Sequence, residues 1–149
     1  MGIINDLKAI VKNEPEIARV EINTPAAPLK KVLIVEDEPA LADALVLKFS
    51  HAGFEAIKAD NGQVGLDMAV AHKPNIILLD LMMPVMDGKT MLKKLRDLPD
   101  FKTLPVLILT NAGDVDNIHE TQTYYNANGF LIKSNVNPDE IVAKVKDLI

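Results

Sequence analysis

At 149 residues, 48% hydrophobic and 25% charged, the chain has the size and balance of one globular domain with its own core. A net charge of −5 disfavours nucleic acid or an anionic membrane as main partner, and the absence of cysteine excludes disulfides and thiolate metal sites. No apolar run approaches the ~20 residues of a membrane span and no secretory leader pattern follows Met1, which makes a cytoplasmic location the default expectation.

Residues 1–29 differ in pattern from the rest. Ile3, Ile4, Leu7, Ile10 and Val11 recur at helical spacing, with Asn5, Asp6, Lys8 and Lys12 between them. Pro15 interrupts this pattern, and the tract from Glu16 to Ile22 reads equally as a helical turn or a strand. Thr24-Pro25-Ala26-Ala27-Pro28 is a stiff, extended linker by composition. The expected organisation is therefore an N-terminal extension over residues 1–29 and a compact domain over residues 30–149.

From Lys30 onward short aliphatic runs alternate with amphipathic helical patterns. Val32-Leu33-Ile34-Val35 reads as a buried strand that ends in Glu36-Asp37-Glu38. Pro39, suited to a first helical turn, opens a helix with Leu41, Ala44, Leu45, Leu47 and Phe49 as its apolar residues, closed by Gly53. Phe54 to Ala59 is a second strand and Asn61-Gly62 a turn. A second helix carries Val64, Leu66, Met68, Ala69 and Ala71, and stops before Pro74. The third strand is Ile76-Ile77-Leu78-Leu79, ending at Asp80, with Thr90 to Leu98 as the third helix. Val106-Leu107-Ile108-Leu109 is the fourth strand, ending at Thr110, followed by a polar helix from about Asp114 to Asn126. Gly129-Phe130-Leu131-Ile132 is the fifth, ending at Lys133. Asn137, ahead of Pro138-Asp139-Glu140, caps a last helix along Ile141, Val142, Val145, Leu148 and Ile149.

This strand–helix rhythm predicts an α/β, doubly wound, five-stranded parallel sheet with the flavodoxin-like order 2-1-3-4-5. The four consecutive aliphatics before Asp80 suit a strand buried on both faces, and Pro84 and Gly88 force a loop after it. In such sheets ligands bind beyond the carboxyl ends of the strands. Asp80 alone can equally be a turn former or a reactive group.

The other strand ends carry the argument further. Strands one and three are neighbours in that order, so Glu36, Asp37 and Asp80 converge on one pocket. Like charges so close are tolerable only with a proton or a cation present. No His or Cys accompanies them, and an all-oxygen set suits Mg²⁺. Thr110 and Lys133 bring a hydroxyl and an ammonium to the other side. The combination makes a site for a phosphoryl group, with Asp80 as candidate nucleophile. Singly, Glu36 and Asp37 also read as helix caps, Thr110 as an ordinary strand end and Lys133 as an edge charge.

With these residues in place, Val32 to Ile149 resembles the receiver domain of bacterial two-component response regulators. The motifs that carry the resemblance are Val35-Glu36-Asp37-Glu38, the run from Leu79-Asp80 through Met82-Met83-Pro84-Val85-Met86 to Asp87-Gly88, Leu109-Thr110, and Phe130-Leu131-Ile132-Lys133. The resemblance implies that Asp80 is a phosphoacceptor served by a histidine kinase or a phosphotransfer protein. It implies Mg²⁺ held by Asp37, Asp80 and the Met82 backbone carbonyl, with Glu36 acting through water, and Lys133 on the phosphoryl oxygens. Thr110 would hydrogen-bond the phosphoryl group and swing inward, and Phe130 would turn inward with it. Met82 and Ala112 stand at the positions that flank the attacking water in this family. Neither side chain positions a water, which implies a slowly self-hydrolysing phosphoprotein.

Three positions depart from the family pattern. Glu36 replaces the Asp often found first in the acidic pair, keeping the charge with a longer reach. Phe130 lacks the hydroxyl of the frequent Tyr, so a switch there must work by packing. Ser134 follows Lys133 where proline is usual, and a cis bond before serine would cost ~3 kcal/mol or more.

The leading functional expectation is a phosphorylatable signalling module, not an enzyme on a separate substrate, whose output is protein–protein contact rather than DNA binding. That expectation takes the 29 leading residues as too few for a helix-turn-helix domain, with no room after Ile149. The downstream partner is unspecified. A homodimer through the face of the fourth helix, fifth strand and last helix, or through the N-terminal arm, belongs to the same reading. The alternatives are a receiver-like scaffold that takes no phosphate and an aspartate-nucleophile phosphatase. The latter would carry Asp-x-Asp, and Met82 stands at the second position. A flavin or nucleotide binder would want a Gly/Ser/Thr-rich loop after strand one, where Glu36-Asp37-Glu38-Pro39 instead repels phosphate.

Overall fold

The computed structural model describes residues 27–149. The helical stripe from Ile3 to Val11 and the tract from Glu16 to Ile22 lie outside the described residues. Five strands alternate with five helices: β1 (Lys31–Val35), α1 (Pro39–His51), β2 (Glu55–Ala59), α2 (Gly62–His72), β3 (Ile76–Leu79), α3 (Gly88–Asp97), β4 (Val106–Thr110), α4 (Val115–Tyr125), β5 (Phe130–Ile132) and α5 (Pro138–Leu148). Single 3₁₀ turns follow α3 and β5. All pairings are parallel, in the order β2-β1-β3-β4-β5 that the sequence predicts.

The two-residue period of the strands divides the core between the faces of the sheet. Leu33, Val35, Ile77, Leu79 and Ile108 point to one side, where they meet Ala69 of α2, Met91, Leu92 and Leu95 of α3, and Ile118 of α4. Val32, Ile34, Ile76, Leu78, Leu107 and Leu109 point to the other, against Leu45 and Phe49 of α1 and Ile141, Val142 and Val145 of α5. A sheet covered on both faces needs apolar residues at every position, which is why β1, β3 and β4 read as continuous aliphatic runs.

Local chemistry starts the helices. Asn61, Asp87 and Asn137 each accept a hydrogen bond from the backbone N–H three residues on, closing the first turns of α2, α3 and α5. Lys73 and Asn126 end α2 and α4 in the left-handed conformation. The apolar face of α1 differs from the sequence expectation. Ala42, Leu45 and Phe49 are its buried residues, while Leu47 is 57% exposed, because its position on the helix faces away from the sheet. Phe54 precedes β2 and packs edge-on against Phe49, with ring centroids 5.5 Å apart. None of the helices described is long and apolar enough to cross a membrane.

Candidate functional site

The register of the sheet brings the acids together. Val35 of β1 is level with Leu79 of β3, so Glu36 and Asp80 leave adjacent strands at the same height. The Asp80 N–H donates to the Val35 carbonyl at 3.0 Å and the Glu36 N–H to the Ala59 carbonyl at 2.9 Å, which pins both main chains at the point of exit. Glu36 and Asp80 are buried, 3% and 2% exposed, and Asp37 is exposed beside them. One carboxylate oxygen from each of the three lies within 4.8 Å of the others.

Lys133 closes the pocket from β5. Its ammonium donates to Asp80 Oδ2 at 3.0 Å and lies 2.7 Å from Glu36 Oε2. This buried oxygen thus has a charged neighbour but no donor in hydrogen-bonding geometry. Main-chain donors reach the remaining oxygens: the Glu38 N–H contacts Glu36 Oε1 at 3.1 Å and the Met82 N–H contacts Asp80 Oδ1 at 3.3 Å.

These contacts set the electrostatics. Burial pushes the Glu36 carboxyl up to about 7, with the nearby Asp80 charge adding to the rise and Lys133 opposing it. Burial likewise raises Asp80, against Lys133 and the Met82 N–H. Burial alone would lower Lys133, but its contacts with Glu36 and Asp80 outweigh it and hold the ammonium above the usual lysine value. Three carboxylates around one ammonium leave an excess of negative charge, and an oxygen-only donor set suits a hard divalent cation. The residues present fit Mg²⁺.

Thr110 ends β4, fully buried, and its hydroxyl donates to Asp114 Oδ2 at 3.0 Å. Phe130 begins β5 and is 42% exposed. These are the positions of Thr110 and Phe130 in the chain without a phosphoryl group, the state from which the expected inward movement would start. The Lys133–Ser134 peptide is trans, and Lys133–Asn135 forms a 3₁₀ turn.

The loop from Asp80 to Gly88 borders the acids. Leu81 is buried, whereas Met82 is 55% and Val85 84% exposed. The Gly88 N–H donates to the Leu81 carbonyl at 2.9 Å, and the Gly62 N–H to the Met86 carbonyl at 3.0 Å. A Cβ at Gly62 would come within 2.5 Å of that Met86 oxygen, so only glycine lets α2 approach the loop this closely. As turn formers alone, Gly62 and Gly88 carry no sign of these contacts, and Asp114 reads only as the start of a polar helix. The paired loops become neighbours only through the sheet order, whereas Asp114, four residues beyond Thr110, was the more accessible signal.

Residues 32–146 match the response regulator receiver domain, and the chain belongs to that family, the signalling domain of two-component systems. It is 33% identical over 122 residues to the DNA-binding dual master transcriptional regulator RpaA of Synechocystis, a match covering 81% of this chain and 49% of that protein. It is 30% identical over 122 residues to the response regulator ArlR of Staphylococcus aureus, covering 81% of this chain and 53% of that one. The chain thus spans about half the length of the curated relatives it matches. Among solved structures, the chemotaxis response regulator CheY4 of Vibrio cholerae superposes with a TM-score of 0.74 at 27% identity, over 81% of this chain and 99% of that one. The response regulator TrrA of Thermotoga maritima, solved in complex with Mg²⁺ and beryllium fluoride, gives 0.70 at 26% identity, over 81% and 100%.

Proposed function

We propose that the chain is a phosphorylatable switch in which Asp80 accepts a phosphoryl group from the phosphohistidine of a histidine kinase or a phosphotransfer protein. The nitrogen–phosphorus bond breaks, an Asp80 carboxylate oxygen bonds to phosphorus, and the histidine leaves with the bonding electron pair. The observation that carries this reading is the Lys133 ammonium held at 3.0 Å from buried Asp80, where it meets the charge of the incoming phosphoryl oxygens. Glu36, Asp37 and Asp80, with the Met82 backbone carbonyl, would hold Mg²⁺, which when bound neutralises further charge on those oxygens. Thr110 donates its hydroxyl to the phosphoryl group, and Phe130 repacks with it.

The chain is in this reading a phosphoacceptor that assists its own phosphorylation and dephosphorylation, not an enzyme on a second substrate. Residues 30–149 form the receiver and residues 1–29 an extension. Its output is contact with another protein, or with a second copy through α4, β5 and α5, where Tyr124 is 71% and Phe130 42% exposed. Incubation with acetyl phosphate and Mg²⁺ followed by intact mass tests the central claim. One added phosphoryl group is expected, absent in Asp80→Asn. A mass that stays unchanged, or an equal gain in the variant, overturns it.

A further inference from the structure

Asp114 occupies the N-cap of α4 without capping it. Asn61, Asp87 and Asn137, side chains of the same capping type, do cap α2, α3 and α5, and all three have extended backbone. Asp114 instead sits at φ −101°, ψ 29°, and Oδ2 of its carboxylate accepts the Thr110 hydroxyl at 3.0 Å. With its backbone in that conformation and Oδ2 turned to Thr110, the side chain best suited to close the first turn of α4 makes no bond to the first-turn amides. The Asp116 and Asn117 N–H groups are left without that cap, as the first donors of a helix are when nothing reaches them.

A threonine hydroxyl carries one proton and serves one acceptor at full strength. Thr110 is fully buried at the end of β4, beside the β3 strand that leads into Asp80. From these facts we infer that Asp114 is an exchange partner: it holds the Thr110 hydroxyl in the unphosphorylated chain and caps α4 when that hydroxyl is drawn to a phosphoryl group. The inference rests on the phosphoacceptor reading of Asp80 for its trigger.

The exchange replaces one hydrogen bond with another, so it is close to balanced, and a modest preference of the phosphoryl group for the Thr110 proton tips it. Capping also requires the Asp114 backbone to turn to the extended conformation of the other three caps. The movement is confined to the start of α4, because the rest of the helix is tied down. Glu120 pairs with Lys89 of α3 at 2.9 Å. At the far end, Arg96 of α3 donates to the Tyr125 carbonyl at 2.8 Å and the Asn126 carbonyl at 3.0 Å. Phosphorylation is then read out as closure of the first turn of α4 against a fixed remainder.

The test follows amide exchange at Asp116 and Asn117 by NMR in the full chain, with and without Mg²⁺ and beryllium fluoride as phosphoryl mimic. In the wild type, bound mimic slows exchange at both amides roughly five-fold, the effect of a cap gained. Thr110→Val frees the carboxylate and gives the slow rate without any mimic. Thr110→Ser retains the hydroxyl and behaves as wild type, and Asp114→Ala exchanges fast in both conditions. Fast exchange in Thr110→Val, or unchanged exchange in wild type carrying bound mimic, overturns the proposal. Binding of the mimic is read independently from its ¹⁹F signal. A missing signal defeats the phosphoacceptor reading, while Thr110→Val still judges the exchange.

Discussion

Gly88 stands against the main chain of Asp80: a Cβ on Gly88 would overlap the Asp80 carbonyl oxygen and crowd its carbonyl carbon and the Leu81 Cα. No flexible side-chain end lies in the way, so the backbone that presents Asp80 must itself move to admit an alanine. Gly88→Ala is expected to destabilise the fold by about 1–3 kcal/mol, the usual range for overpacking. It also slows phosphoryl uptake, measured with acetyl phosphate in the fraction that remains folded. A variant with unaltered denaturant midpoint and unaltered uptake would show that this contact does not position Asp80.

The acid cluster predicts linkage between metal and fold. Mg²⁺ held by these acids would occupy a site assembled only in the folded state, so it is expected to raise the melting temperature in a concentration-dependent way, by about 2.7 kcal/mol of stability at a hundred-fold excess over Kd. Asp37 is exposed, so Asp37→Asn removes a ligand charge at little cost to the core. Melts of that variant should be the same with and without Mg²⁺. A variant response equal to that of the wild type would exclude the site.

Without metal, the same cluster makes stability depend on pH. The Glu36 carboxyl titrates near 7 when folded, against 4.5 for the free group, and Asp80 is shifted in the same direction. Between those values the folded chain binds protons that the unfolded chain has released, so stability increases as pH falls through this window and is lowest above it. Lys133 stays charged throughout the window and contributes a constant amount. The metal-free chain should melt higher at about pH 5.5 than at about pH 7.5, and Glu36→Gln should remove much of the slope. Mg²⁺ should reverse the trend, since it binds the deprotonated acids. A flat metal-free profile in the wild type contradicts the burial argument.

Val85 has φ +68°, a left-handed conformation that disfavours a β-branched side chain, and is 84% exposed. Little packing is lost on replacing it, while strain of about 1–3 kcal/mol is relieved. Val85→Gly is therefore expected to raise stability by about 1 kcal/mol after the entropy of glycine in the unfolded chain is counted, and Val85→Asn by less. Denaturant midpoints at constant slope provide the measurement, and a midpoint lowered in both variants would refute the strain.

Phosphate lifetime should be controlled at the rim of the pocket. Met82 is 55% exposed over the loop beside Asp80, and Ala112 is exposed just beyond Thr110. Neither side chain can hold a water by hydrogen bonding. Met82→Asn and Ala112→Glu are each expected to shorten the lifetime several-fold, followed as loss of phosphate from the labelled chain. Unaltered decay in both variants would mean that these side chains do not govern water access.

Some of this was decided along the chain. The aliphatic runs Val32–Val35, Ile76–Leu79 and Val106–Leu109 specify doubly covered parallel strands, because a strand buried on both faces tolerates no polar residue. Their order then puts Glu36, Asp37, Asp80, Thr110 and Lys133 at one edge, so which residues gather there is legible along the chain. Caps with a local mechanism, such as Asn137 ahead of Pro138, were equally legible. Other features exist only in three dimensions. The exposure of Leu47 depends on how α1 rolls against the sheet, which the apolar count of the helix does not specify. The overlap at Gly88 and the approach of Gly62 to Met86 depend on loops that meet only after the sheet has assembled. Asp114 could cap its own helix or hold the Thr110 hydroxyl, two local choices of similar strength. Packing of β4 and α4 selected the second, because a carboxylate takes whichever donor the tertiary structure brings within reach.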